Sequence, residues 1–351
     1  MIAVKKRDSN IELLRNISMF LILVIHANFV ALPHISYEEF VSNTTPSVVR
    51  FFIEAIGIVA VNIFVFISGW FGINTRKKSV LSFIYMVIFW LWGGYFVSIV
   101  FGQTSFSLGS FLEVLLLTEK DWFIKSYLVL MIIAPVLNAY TNNTNERIQR
   151  WVVFSFILFE VIFGWMTGGR RFFVDGFGPL HFIGLYLLAQ YIHNKLYSST
   201  TPNFLKRFFD MPKWVDLSVF FVSVIINTIF AVLCILFFKR EVPSFWFAYS
   251  SPFVMFGSLY LFLFFTKLNL PYNKFINWLG ASSFAAFLFH YGIATLRENF
   301  FIPQVAYCFE HYSGFLCISA IFIFLCFMYL LAVLVDQIRI FSWKKIWKGV
   351  E

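Results

Sequence analysis

Charge is scarce in this chain. Only 13% of its 351 residues are Asp, Glu, Lys or Arg, against about 25% in an ordinary soluble domain. That excludes a soluble enzyme, and it excludes a disordered chain, which needs high charge and few apolar residues. Cysteine is scarce too. Cys234, Cys308, Cys317 and Cys326 form no CxxC and no metal-ligand spacing, so neither a disulfide framework nor a zinc site is indicated. There is no internal repeat and no domain linker; the longest polar connection, about 198–213, leaves no room for a separate soluble domain. A GxSxG motif and a triad-like order are also missing, which argues against a serine hydrolase without excluding a covalent intermediate.

What the chain has is hydrocarbon. Hydrophobic residues make up 60% of it and Phe alone occupies 50 positions. A spanning helix uses about 20 apolar residues. Apolar runs separated by polar or Pro/Gly stretches predict ten spans, near 11–32, 50–72, 80–102, 122–141, 151–168, 179–197, 217–238, 247–266, 275–297 and 314–336. The expected fold is therefore all-α, a polytopic membrane protein forming one transmembrane domain over 1–351, with short tails at about 1–10 and 337–351. The stretch 106–117 is apolar but too short to cross, and belongs in the interface or re-enters. Lys5, Lys6 and Arg7 resemble the start of a signal peptide. The run that follows carries Arg15 and His26 and has no convincing cleavage site, so a retained first helix is expected. Ser9 and Glu12 have the spacing of a capping box, which would start that helix near Asn10.

The net charge of +9 reads as a Lys/Arg excess in cytoplasmic loops, not as a nucleic-acid signal. With the N-terminus inside, one side receives 19 basic residues, including Arg15, Arg76, Lys77, Lys78, Arg147, Arg150, Lys206, Arg207 and Arg339. The other receives 8: Arg50, Lys120, Lys125, Arg170, Arg171, Lys239, Arg240 and Arg297. Both termini are thus expected in the cytoplasm.

An ionisable side chain inside a bilayer costs about 2.5–3.5 kcal/mol on insertion scales, so each asks for a reason. Arg15 and His26 are eleven residues apart in the first span. At 3.6 residues per turn they share one face, about 16 Å apart along the axis. Glu12 can pair with Arg15. A plain alternative is that Arg15 snorkels to lipid phosphate and His26 is a hydrogen-bonded interior residue. His290 lies as far into the ninth span as His26 does into the first, which places the two imidazoles at similar depth. His181 enters the sixth span from the outer side and can reach the same level. Three His without a clustered carboxylate fit a proton-handling or substrate cavity better than a metal site, and no metal is expected. Glu160 is mid-span, where it can line a cavity or bridge to a neighbouring helix. Gly57, Ser68 and Gly69 of the second span allow close helix approach. Arg76 follows that span and is either a cytoplasmic anchor or, with Arg15, a cationic mouth for a phosphorylated ligand.

These residues together resemble the acyltransferase 3 family of integral-membrane acyltransferases, over about residues 9–335. The most specific element is Glu12-Leu13-Leu14-Arg15 followed by His26, the family's Arg-x10-His signature. The second is 57–69, ending Phe66-Ile67-Ser68-Gly69-Trp70, with Arg76 at the place of the family's Arg; Trp70 stands where Phe is usual. The third is Trp122-Phe123-Ile124 with Tyr127 and Pro135-Val136-Leu137-Asn138, and the fourth is Phe287-Leu288-Phe289-His290. His181-Phe182-Ile183-Gly184-Leu185-Tyr186 is similar to members found in bacterial polysaccharide loci.

The resemblance implies a membrane-bound O-acyltransferase, commonly an O-acetyltransferase, of the bacterial cytoplasmic membrane. It would take acetyl-CoA or another acyl-CoA as co-substrate. Its acceptor would be a hydroxyl of a cell-surface polysaccharide or lipid-linked glycan. On that resemblance His26 is the catalytic base, Arg15 and Arg76 hold the donor, and His290 is a further site residue; His181 and Glu160 are added as candidate substrate contacts. The physics is compatible. A positioned His supplies about 10²–10⁴-fold in such a step, and an anionic donor head cannot enter hydrocarbon without guanidinium partners. The competing class is a proton-coupled exporter or flippase of a glycan, which would more often show a two-fold repeat and broken helices at matching places.

Overall fold

A computed structural model describes residues 8–73, 75–117, 121–167, 174–239 and 244–348. Lys5, Lys6, Arg7, Lys120, Arg170, Arg171 and Arg240, which enter the charge balance above, lie outside the described residues. Every regular element among the described residues is helical. In chain order these are α1 (Ser9–Phe29), α2 (Tyr37–Ser42), α3 (Thr44–Gly57), α4 (Ala60–Phe71), α5 (Lys77–Val100), α6 (Leu108–Leu116), α7 (Trp122–Asn143), α8 (Glu146–Phe159) and α9 (Pro179–Asn194). They continue as α10 (Asn203–Phe209), α11 (Lys213–Phe238), α12 (Pro252–Thr266), α13 (Lys274–Ala281), α14 (Ser283–Phe287), α15 (Ala294–Leu296), α16 (Ile302–His311) and α17 (Gly314–Lys348). Three π-helical segments, Glu160–Met166, Leu288–Gly292 and Arg297–Phe301, interrupt this series.

Eight helical stretches among the described residues are long and apolar enough to cross a membrane: Ser9–Ala31, Thr44–Phe71, Lys77–Val100, Trp122–Asn143, Glu146–Met166, Lys213–Phe238, Phe245–Thr266 and Gly314–Trp347. They match eight of the ten expected spans. The other two are helical but differ in form. α9 has 16 residues, about 24 Å, which is shorter than a ~30 Å hydrocarbon core. It is buried without a break from Gly184 to Ile192, so helices rather than lipid surround it. The region 275–297 is broken into α13, α14, a π-turn, α15 and the start of a second π-turn. Short pieces of this kind survive at membrane depth only where protein re-satisfies the backbone. The stretch 106–117 contains the nine-residue α6. α17, with 35 residues, is about 52 Å long and must project beyond the hydrocarbon.

The chain groups into two compact units: Met1–Pro33, Arg76–Asp121 and Pro271–Glu351 form the first, His34–Thr75 and Trp122–Leu270 the second. In the first unit a polar seam joins α1 to α13. Ser9 Oγ accepts from the Asn273 amide at 2.8 Å and from Asn277 Nδ2 at 2.7 Å. Asn16 Nδ2 donates to the Ile276 carbonyl at 3.1 Å, and its Oδ1 accepts from the Tyr329 hydroxyl at 3.0 Å. Gly280 permits the approach, because a Cβ there would collide with the Glu12 side chain. The expected capping box is not formed. The helix starts at Ser9 behind Asp8, and no side chain caps it; the Ser9 hydroxyl is taken by α13 instead. On α17 the buried Asp336 accepts two bonds from Arg339, at 2.6 and 2.7 Å, and one from Trp90 Nε1 at 3.1 Å. A buried carboxylate needs such saturation.

In the second unit α4 packs on α9. At Gly69 a Cβ would stand 2.6 Å from the Tyr186 carbonyl oxygen and 2.8 Å from the Ala189 Cβ, so the expected close approach of small residues occurs here. Asn138 ties the loop after α4 to α7 and α9. Its Oδ1 accepts from the Tyr186 hydroxyl at 2.7 Å and from Gln190 Nε2 at 2.6 Å, while Tyr186 Oη accepts from the Ile73 amide at 2.9 Å.

Candidate active site

α1 is a single unbroken helix that carries both Arg15 and His26. His290 sits on the π-turn Leu288–Gly292, where the Ile293 amide bonds the Leu288 carbonyl five residues back. Such turns recur at functional sites, because the extra residue turns a side chain out of the regular helical stripe. Here it brings His290 onto α1: His26 Nδ1 lies 2.8 Å from His290 Nε2. His290 is fully buried, and its Nδ1 lies 2.5 Å from the Ala286 carbonyl oxygen.

This geometry fixes the proton positions of the neutral pair. A carbonyl can only accept, so His290 Nδ1 carries the hydrogen. His290 Nε2 is then a bare acceptor, and His26 Nδ1 must donate to it. The remaining nitrogen, His26 Nε2, is left with a free lone pair. The assignment follows from the hydrogen-bond network. His26 is half-buried, and its Nε2 has no hydrogen-bond partner among the described residues. The ring is held in plane by Tyr291, stacked at 4.3 Å between centroids. Tyr291 is held in turn by Arg297, whose Nη1 donates to the Tyr291 carbonyl at 2.9 Å and whose guanidinium lies 5.0 Å from the Tyr291 ring centre.

About three turns along α1 from His26, Arg15 places Nε 3.5 Å from Glu12 Oε2. Its side chain is 30% exposed and that of Glu12 only 5%. Nε itself is buried without a hydrogen-bond partner. The pair is an ion pair and not a saturated hydrogen bond, which leaves the guanidinium with donor capacity. Arg76 is exposed and occupies the N-cap position of α5. These four residues, Arg15, His26, Arg76 and His290, belong to the first unit.

Glu160 and His181 belong to the second unit, where they meet each other. Of the two alternatives for Glu160, the structure has the bridge between helices: Glu160 Oε1 lies 2.5 Å from His181 Nδ1, and both side chains are fully buried. His181 Nε2 is 2.8 Å from Asn62 Oδ1. Asn62 Nδ2 donates to the Tyr249 carbonyl at 3.0 Å, which orients the amide. His181 Nε2 is therefore the donor to Asn62, and one proton is shared along the His181 Nδ1–Glu160 contact. Glu160 Oε2 is buried and has no partner among the described residues.

Tyr291, Arg297, the Ala286 carbonyl and Asn62 are parts of these arrangements that sequence reasoning missed. In the charge balance Arg297 figures only as a loop cation. Its nearness in sequence to His290 was the available signal.

The acyltransferase-domain profile of the acyltransferase 3 family matches residues 8–337. The chain belongs to that family. It is a multi-pass membrane acyltransferase, with an acyl donor and an acceptor as its substrates. The match spans both units and includes every residue described in this section. No curated protein and no solved structure matches the chain.

Proposed function

We propose that this acyltransferase moves an acetyl group from acetyl-CoA, bound from the cytoplasm, to a hydroxyl of a cell-surface polysaccharide or lipid-linked glycan. The host membrane is the bacterial cytoplasmic membrane, with both chain termini inside. The 19-to-8 bias of basic residues supports that orientation.

The observation that carries the reading is the relay from the Ala286 carbonyl through His290 to His26. It leaves His26 Nε2 bare, as a general base requires. In the step, the acceptor oxygen attacks the thioester carbonyl carbon while its proton passes to His26 Nε2. The tetrahedral intermediate collapses, the C–S bond breaks, and the same proton returns to the departing thiolate as CoA-SH. No proton is gained or lost overall. His290 acts through His26: it is a positioning residue that fixes the tautomer. Arg15, with donors to spare, and Arg76 hold the anionic head of the donor at the membrane surface. The about 16 Å along α1 from Arg15 to His26 suits a donor whose thioester sits at the end of a long arm. Glu160 and His181, enclosed by the second unit, brace α8 against α9 there.

The test is incorporation of labelled acetyl from acetyl-CoA into glycan by membranes holding equal amounts of wild type or His26→Ala. Incorporation is expected to fall to background in the variant. Equal incorporation would remove His26 as the base. Incorporation by wild type from a longer acyl-CoA and not from acetyl-CoA would replace the donor.

A further inference from the structure

The second unit contains an apolar groove of about 550 Å³ along α8, with α4, α9, α10 and α12 as its other walls. None of the candidate site residues lines it. Its lining runs from Arg150 on α8 to Val161 on the π-helical segment that follows. That is eleven residues, or about 16 Å, and one leaflet of a ~30 Å hydrocarbon core has the same depth. Arg150 is the one charged residue of the lining, and it stands at one end.

The wall made by α10 is built for an interface. Phe204, Leu205, Phe208 and Phe209 line the groove, while Lys206 and Arg207 fall on the opposite arc of that short helix. The wall is rigid. The Tyr260 hydroxyl donates to the Phe208 carbonyl at 3.1 Å. Lys267 Nζ donates to the carbonyls of Phe209 and Met211 at 3.1 and 2.7 Å. The chain leading into α10 is joined to the charged end: Arg150 Nη1 donates to the Thr200 carbonyl at 3.3 Å and to Glu146 Oε1 at 2.9 Å. Among the described residues Arg150 makes its hydrogen bonds through Nη1 only, so Nε and Nη2 remain for a ligand. Phe204 is nevertheless 70% exposed, an aromatic ring held at the groove without protein over it.

A guanidinium at one end of a leaflet-deep apolar groove, with Lys206 and Arg207 on the far arc of a helix that walls it, complements one kind of occupant. We propose that the groove holds an acyl chain of an anionic phospholipid of the cytoplasmic leaflet, with its phosphate at Arg150 and the cations of α10 adding longer-range attraction. In the orientation given above, this end of α8 faces the cytoplasm, where basic side chains are drawn to anionic lipid. The site is separate from the chemistry at His26 and does not depend on it.

The experiment uses the full-length protein in phosphatidylcholine nanodiscs. These contain a small fraction of either phosphatidylglycerol or phosphatidylcholine bearing a diazirine on the acyl chain. After irradiation, cross-links are mapped by mass spectrometry. The expected result is phosphatidylglycerol cross-linking concentrated on the peptides of Phe154, Phe204 and Phe256, competed away by unlabelled phosphatidylglycerol. Leu259→Trp, which fills the groove, should abolish it. Arg150→Gln should reduce the preference over phosphatidylcholine at least several-fold. Should either of those fail to fold, the surface pair Lys206→Gln/Arg207→Gln is expected to lower the same preference. Equal labelling by the two lipids, or labelling spread evenly over all lipid-facing helices, would overturn the proposal. Competition by a polyprenyl phosphate but not by phosphatidylglycerol would also overturn it, in favour of a carrier lipid. None of these readouts is acetyl transfer, so failure here leaves the reading of His26 untouched.

Discussion

Nδ1 of His26 and Nε2 of His290 face each other at 2.8 Å, across 264 residues of chain. The contact makes the tautomer of one imidazole depend on the other. His290→Leu removes the acceptor and frees His26 to turn or to move its proton to Nε2. Acetyl transfer is expected to fall by about 10²-fold or more, within the 10²–10⁴-fold that a positioned base supplies. His290→Gln keeps an acceptor oxygen within reach and should retain more activity than His290→Leu. The KM for acyl-CoA should not move in either variant. Steady-state kinetics on membranes of matched expression check this; a rise in KM with unchanged kcat would assign His290 to binding instead.

Arg15 carries the opposite signature. Its guanidinium is ion-paired to Glu12 at 3.5 Å and keeps donors for an anion. A charge-assisted hydrogen bond is worth about 1.5–3 kcal/mol. Arg15→Ala should therefore raise the KM for acetyl-CoA about tenfold or more and lower kcat far less. Donor titrations read the split directly. An unchanged donor dependence would contradict the role.

Gly69 tests the packing of the second unit. Any side chain there meets the backbone oxygen of Tyr186 at 2.6 Å, and backbone cannot step aside as a flexible side chain can. Gly69→Ala is expected to cost about 1–3 kcal/mol, the usual range for overpacking. The measurement is the thermal unfolding midpoint in detergent, which should drop while the midpoint of Gly93→Ala stays near wild type. Apart from its chain neighbours and the backbone of its own helix, no atom of the described residues lies within 4 Å of a Cβ at Gly93.

Glu160 and His181 share one proton inside the protein, with both side chains fully buried. Breaking a buried pair by removing one partner costs about 3–5 kcal/mol. Glu160→Leu should accordingly lower the unfolding midpoint markedly. Glu160→Leu with His181→Leu should cost less than the sum of the two single losses, because both remove the same contact, but recovery is only partial because Asn62 Oδ1 then loses its donor. Additive losses would contradict a pairwise contact.

How much of this was legible in the sequence depends on what carries the information. The face shared by Arg15 and His26 was legible because one continuous helix, with a known rise and twist, carries both. The similar depth of His26 and His290 followed from counting into two spans that run the same way. Their contact did not, because it needs the π-turn at Leu288–Gly292, and hydropathy has no period for a single widened turn. Ser9 shows another limit. Its spacing to Glu12 is that of a capping box, but the hydroxyl instead meets Asn273 and Asn277, partners some 264 residues away that local pattern cannot weigh. α9 was legible as an apolar run. Its shortness becomes intelligible only when its neighbours are seen to bury it from Gly184 to Ile192. Glu160 and His181 each stood out as polar residues at membrane depth. Nothing in their spacing of 21 residues said that they touch.

The central claim is that His26 Nε2 is held bare by a relay ending at the Ala286 carbonyl. The most direct measurement is the ¹⁵N shift of the two His26 ring nitrogens in protein labelled at histidine and assigned by comparison with His26→Gln. The expected spectrum at neutral pH has a protonated Nδ1 and an unprotonated Nε2, and His290→Leu shifts that balance. A His26 ring that is protonated at Nε2 and bare at Nδ1, or that carries both protons at neutral pH, would contradict it.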